Sequence, residues 1–173
     1  MKIFKTIGLL AITMTLLTAC NTGEKKAIAK IEAKSGSTVS GTVTFTEKDG
    51  IVTMKAALAG LSEGNHAIHI HAIGDCSAPD GKSAGGHWNP TNVNHGKWME
   101  APFHTGDIGN LVVGADGTGT IERTTELWTI GGKDATKNAV GHAIIIHEGP
   151  DDFSSQPSGA AGPRVGCGEI VRK

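Results

Sequence analysis

The chain has 173 residues, with 16 basic and 17 acidic side chains, a formal charge of −1, and 25 glycines. That length fits one domain with its own hydrophobic core. No basic patch or run of charge is visible, which argues against nucleic acid as a partner, and no segment carries a long apolar period of 3.6.

The first twenty residues, "MKIFKTIGLLAITMTLLTAC", join a lysine-bearing start to an apolar run and then small residues before Cys20. This is the layout of a secretory signal over residues 1–19, and the run is too short to span a bilayer. The ending "LTAC" resembles the bacterial lipoprotein cleavage box, in which the cysteine becomes the lipidated first residue of the mature protein. Residues 20–36, with "NTGEKKAIAK", read as a polar tether, and residues 37–173 as the folded domain. Loss of residues 1–19 takes Lys2 and Lys5 from the 16 basic side chains, leaving 14 against 17 acidic ones, or −3. The chain is therefore expected outside the cytoplasm, facing the periplasm or cell exterior and membrane-anchored by lipid on Cys20. With Cys20 set aside, Cys76 and Cys167 form an even pair in an oxidising compartment, where a disulfide is expected. Closing so long a loop stabilises by roughly 4–5 kcal/mol on the chain-entropy model.

From Val39 onward the texture is short strands punctuated by turns. "TVSGTVTFTEKDGIVTMKAAL" is two β-rich runs around "KDG", a hairpin signal, and "GNLVVGADGTGTIERTTE" repeats the device with "ADG". "HAIHIH", "GHAIIIHE" and "CGEIV" add further strands. The pattern predicts an all-β sandwich or barrel. Two long segments, from Ala72 to about Thr105 and from Gly149 to Gly166, resist strand assignment, and each follows a histidine-bearing strand. Loops of that length in a compact domain are commonly functional.

Strand parity sorts the histidines. In "HAIHIH", Ile68 and Ile70 are expected to face the core with His66 on their side, while His69 and His71 face outward together. His66 reads as a buried, hydrogen-bonded histidine, and His69 and His71 as a pair able to converge on one ion. In "HAIIIHE", Ile144 and Ile146 are the inward residues and His147 faces out with Ile145; His142 shares the inward parity and reads as structural. The intervening loop carries His87, His95, His104 and Asp107, three nitrogens and an oxygen that suit tetrahedral zinc. Were His87 to use both ring nitrogens, seven residues would give each of two metals four ligands. An all-nitrogen set favours copper.

The motifs "GNHAIHIH", "GGHWNP", "HGKW", "FHTGDIGN", "GHAIIIHE" and "GPRVGCGEI" together resemble the copper–zinc superoxide dismutases from Val39 to the C-terminus, a family that the sandwich architectures include. The resemblance implies a Greek-key β-barrel or sandwich of about eight antiparallel strands with two long functional loops. It implies copper held by His69, His71, His87 and His147, and zinc held by His87, His95, His104 and Asp107, with His87 bridging them. Asp151 corresponds to an outer carboxylate hydrogen-bonded to ligands of both metals, Cys76 and Cys167 to the family disulfide, and Arg164 to the arginine beside copper. The implied activity is conversion of superoxide to dioxygen and hydrogen peroxide, with Arg164 attracting the anion and His87 passing a proton.

Departures are present as well. "GPDDFSSQPSGAAG" carries no lysine or arginine, so bulk steering of the anion in the eukaryotic manner is not expected. The "DCSAPDGKSAGGHW" loop is closer to bacterial members and "GDIGN" to eukaryotic ones, which leaves a homodimer and a monomer both open. Two competing readings are a non-catalytic superoxide dismutase-like lipoprotein that binds or buffers copper, and a cupin; the latter usually places a glutamate a few residues after His-x-His, and "AIGDCSAPD" has none.

Overall fold

A computed structural model describes residues 23–173. Cys20 and the segment read as a signal lie outside the described residues. Nine strand segments follow in chain order: β1 (Lys25–Ala33), β2 (Ser40–Lys48), β3 (Ile51–Ala59), β4 (Gly64–His71), β5 (Asp107–Val113), β6 (Thr118–Thr125), β7 (Ala143–His147), β8 (Arg164–Glu169) and β9 (Val171–Arg172). Only Ile170 separates β8 from β9, so the pair acts as one broken C-terminal strand and the barrel has eight staves. Neighbours run β2-β3-β6-β5-β4-β7-β8-β1, and β1 pairs back with β2 to close the sheet. The stretch β3-β6-β5-β4 is a Greek key. The two expected hairpins are present. Asp49 and Gly50, both at positive φ, make the two-residue turn between Lys48 and Ile51.

The segment expected to be a tether is a correction. Residues 25–33 form β1, which pairs with β2 over seven residues and with β8 and β9 on its other edge. Its alternation is carried by Ala27, Ala29 and Ile31, all buried. Alanine is a weak hydrophobic marker, and the intervening lysines and glutamate hide the period. The second long loop also ends earlier than Gly166, because Arg164 and Val165 already belong to β8.

The barrel interior is filled by Val43, Phe45, Met54, Ile68, Ile70, Leu111, Ile144 and Ile146 among others. β7 is buried on both faces. Ile145 packs outside the barrel with Ala84 and Cys167, under the first long loop, and the Cys76–Cys167 disulfide ties that loop to β8 with Cα atoms 5.7 Å apart.

A third irregular segment, residues 126–142, has no counterpart in the sequence-based expectations. It lays Trp128 over one end of the barrel, fully buried and edge-on to Phe45. The Trp128 indole N–H donates to the Thr105 carbonyl at 2.9 Å, beside His104. Glu47 pins the same segment by accepting from the Ile130 N–H at 2.6 Å while paired with Lys25 at 2.7 Å. Its carboxyl stays below the usual range because those bonds outweigh the cost of burial.

Two irregularities of register decide what reaches the site. Between β4 and β5 the pairing jumps from Ile68↔Gly109 to His69↔Asp107, leaving Ile108 as the extra residue. Strict alternation from the core residue Leu111 would turn Asp107 inward. The bulge instead sends Ile108 into the core and Asp107 to the outer face beside His69. Gly109, at φ +111, supplies a backbone angle that other residues rarely adopt. Between β7 and β8 the pairing jumps from Ile146↔Gly166 to His147↔Arg164, with Val165 extra. Gly166 lies against Ile31, Val39 and Ile146 in the core, so the same device frees Arg164 to reach outward.

Candidate metal centre

On the outer face of β4, β5 and β7, beneath both long loops, lie two groups of side chains that share one residue. The first is His69, His71, His87 and His147; the second is His87, His95, His104 and Asp107. Within each group the ligand atoms lie within 4.8 Å of one another. Rigid strands carry His69, His71 and His147. His87 is held by an isolated bridge to His71, and the 3-10 turn Lys82–Ala84 precedes it in the loop. His104 donates its backbone N–H to Asp107 Oδ2 at 2.7 Å, which ties this ligand to the start of β5.

Each ring in the first group has one nitrogen occupied and one aimed at its neighbours. His69 Nε2 bonds Asp151 Oδ2 at 2.9 Å, His71 Nδ1 donates to the Gly85 carbonyl at 2.9 Å, and His147 Nδ1 donates to the Gly162 carbonyl at 3.2 Å. Their other nitrogens, His69 Nδ1, His71 Nε2 and His147 Nε2, are buried without a hydrogen-bond partner, as is His87 Nε2. Four converging, unpaired buried acceptors are costly unless a cation takes their lone pairs. The partnered nitrogens fix the tautomers that leave those lone pairs free.

The second group converges on Asp107 Oδ1. His87 Nδ1 stands 2.8 Å from it, His95 Nδ1 3.0 Å and His104 Nδ1 3.2 Å, with His104 and His87 Nδ1 atoms 3.4 Å apart. Ligands at zinc bond lengths of about 2.0–2.2 Å sit roughly 3.3 Å from one another in a tetrahedron. The four atoms already approximate that figure. His95 Nδ1 lacks hydrogen-bonding geometry to the carboxylate despite its closeness.

The electrostatics of the two groups differ. Burial pushes the His71 imidazole well below its ordinary range, helped by His87, and holds His87 at about 4 and His147 at about 3. These rings are neutral donors at physiological pH. In the second group burial opposes the charge of His95, yet Asp107 and Asp151 on its two nitrogens outweigh it and raise the ring to about 9. Burial would raise Asp107 too, but the close imidazoles of His104, His87 and His95, together with the His104 backbone N–H, hold it far below the carboxylate range. A four-nitrogen set thus abuts a set containing one carboxylate, a donor chemistry that fits copper beside zinc.

Asp151 joins them. Its Oδ2 meets His69 Nε2 and its Oδ1 meets His95 Nε2, both at 2.9 Å. Its carboxyl also lies below the usual range because those bonds outweigh burial. Asn110, a residue of the "GDIGN" motif given no role from sequence, braces this carboxylate's backbone on both sides. It accepts from the Asp151 N–H at 2.7 Å and donates to the Asp151 carbonyl at 3.0 Å.

A cavity of about 580 Å³ opens over the first group, lined by His71, His87, His147 and Arg164 with amide side chains at its mouth. Among the described residues Arg164 is the only lysine or arginine lining it. Its guanidinium donates to the Gly81 carbonyl at 2.9 Å and the Gly85 carbonyl at 2.7 Å. His66 and His142 stand apart from both groups. His66 is buried between the His147 and Ser62 carbonyls. His142 is half-buried, bonded to the Ala72 carbonyl and stacked on Trp88 at 4.4 Å.

A family model described as copper/zinc superoxide dismutase matches residues 39–170. The chain is 40% identical over 148 residues to a protein of Caulobacter vibrioides named Cu-Zn superoxide dismutase, covering 83% of this chain and 84% of that one. Among solved structures, one described as "Crystal Structure Analysis of the clock protein EA4" is similar with a TM-score of 0.74 at 33% identity, covering 84% of this chain and 93% of that one.

Proposed function

Because this chain belongs to the copper/zinc superoxide dismutase family, we propose a division of labour among its residues. The protein is a superoxide dismutase that binds copper and zinc. In our reading copper is held by His69, His71, His87 and His147, and zinc by His87, His95, His104 and Asp107. The observation that carries this reading is the set of buried, unpartnered ring nitrogens on His69, His71, His87 and His147 facing one another. When bound, copper supplies a reversible one-electron couple and zinc a fixed positive charge on the shared ring.

The chain's own side chains do the rest. One superoxide gives up an electron and leaves as dioxygen; a second takes that electron with two protons and leaves as hydrogen peroxide. Arg164, fixed by two carbonyls at the cavity wall, draws the small anion in and orients it. His87 Nε2, which has no hydrogen-bond partner, would take up a proton from solvent when copper does not hold it and pass that proton to the departing peroxide. Asp151 holds His69 and His95 in register, so that both halves of the centre keep their spacing while charge moves.

The disulfide agrees with an exported protein. We further propose that residues 1–19 are removed and that lipid on Cys20 holds the domain to a membrane on the periplasmic or outer side. Replacing Cys20 should free the protein from the membrane fraction with activity intact. Light scattering on the freed protein separates homodimer from monomer.

The test of function is metal content and superoxide removal measured on one purified sample. One copper and one zinc per chain with rapid superoxide removal, abolished by copper chelation, is the expected result. A fully metallated protein without turnover would refute catalysis and leave copper binding or buffering as the role.

A further inference from the structure

His95 is the ligand furthest from regular structure. It sits in the irregular stretch between Trp88 and β5, where no ladder supplies partners for its backbone. The second long loop supplies them. Gln156 Oε1 accepts from the His95 N–H at 2.9 Å, and Gln156 Nε2 donates to the His95 carbonyl at 3.0 Å. One primary amide thus satisfies both backbone groups, as a paired residue on a neighbouring strand would. Asp151 of the same loop holds the ring at Nε2. Sixty-one residues separate Gln156 from the histidine it grips.

We propose that Gln156 is a positioning residue for the zinc ligand His95, an inference that rests on the zinc assignment made above. Two properties of its side chain are required. It must reach across the cavity wall, which it lines, and it must offer a donor and an acceptor on one plane. Glutamate keeps the acceptor but sets a charge against the His95 carbonyl. Alanine leaves both backbone groups to water, and His95 then keeps its ring contacts, the Gly96 N–H that donates to Asp107 Oδ2 at 3.1 Å, and the bonds of Asn89 and His104 to Val93, but no bond at its own backbone. Gln156 acts through His95, by holding the direction of one ring nitrogen.

The test uses the metal-loaded protein with Gln156→Ala and Gln156→Glu. Zinc release to a colorimetric chelator and the visible absorption of cobalt(II) placed in the zinc site are the readouts. Gln156→Ala should release zinc about ten- to a hundredfold faster, the usual scale for losing a partner behind a metal ligand. Its cobalt bands should shift while copper content stays at one per chain. Gln156→Glu should fall between Gln156→Ala and the parent, and it carries the test if the alanine variant does not fold. Release rates and cobalt bands identical to the parent in both variants would overturn the proposal. A His95→Ala variant that keeps zinc and an unchanged cobalt spectrum would overturn the zinc assignment instead, and with it this inference.

Discussion

His71 and Arg164 share one acceptor. The His71 Nδ1–H and an Arg164 guanidinium N–H both donate to the carbonyl of Gly85, at 2.9 and 2.7 Å. The ring that presents Nε2 to the first group and the cation proposed to meet the substrate are therefore set by the same peptide unit. Arg164→Lys tests the arrangement. An ammonium is a single point and cannot fork to Gly81 and Gly85 together. We expect superoxide removal to fall on the order of tenfold, about 1.4 kcal/mol in the barrier, with copper and zinc contents unchanged. Loss of copper in the variant would show that the arginine holds the metal group and not the anion.

Both carbonyls that fix Arg164 belong to the segment tied down by Cys76–Cys167. Cys76→Ser with Cys167→Ser should destabilise the fold by up to roughly 4–5 kcal/mol, the chain-entropy figure for a loop of this length. Activity should fall before metal is lost, because Arg164 loses its anchor first. Denaturant unfolding of parent and variant, with activity and metal measured on the same samples, checks the order of events.

His87 and His147 separate the two metals. His87→Ala removes a donor from both groups and should lower copper and zinc together, whereas His147→Ala should weaken copper and largely spare zinc. Metal analysis after dialysis decides it. Equal zinc loss in the two variants would contradict the shared-ring assignment.

The His95 ring makes zinc uptake depend on pH. In the metal-free protein its raised value of about 9 means the ring is protonated at pH 7.5, and a metal on Nδ1 must displace that proton while Nε2 keeps its bond to Asp151. Zinc binding should release about one proton from His95 near neutral pH, and none from it above about pH 10. Calorimetry in buffers of different ionisation enthalpy measures the release. The same shift stabilises the metal-free fold fully below about pH 6.5, the ordinary histidine value, and that contribution fades as pH climbs through about 9.

The β5 bulge predicts a backbone effect at a residue without a side chain. Gly109→Ala meets no closer neighbour than an Arg123 nitrogen at 3.4 Å, so its cost lies in the +111° φ. We expect destabilisation of about 1–3 kcal/mol and weaker zinc retention, since relaxing the bulge turns Asp107 toward the core. Thermal unfolding and zinc release on one preparation check both effects.

The two converging groups were readable from the letters because histidines are scarce and their parity on β4 and β7 is regular. Ile68, Ile70, Ile144 and Ile146 carry enough hydrophobic contrast to declare the inner face. The devices that assemble the centre left weaker marks. Asp107 and Arg164 reach the outer face through bulges at Ile108 and Val165, and a bulge is a relation between two strands that neither strand records alone. β1 was hidden by alanines. Trp128, Asn110 and Gln156 act across 23, 41 and 61 residues, through backbone carbonyls and amides that look the same in every sequence.

The early start of β1 bears on where the enzyme works. Only the four residues from Asn21 to Glu24 stand between Cys20, the proposed lipid position, and the first strand, a leash no longer than about 17 Å when fully stretched. Were Cys20 to carry lipid as proposed, the barrel would ride against the headgroups, and its patrol would be a film one molecule deep along the bilayer. It would then meet radicals as they emerge from, or strike at, the membrane, and leave the bulk of the compartment to diffusion.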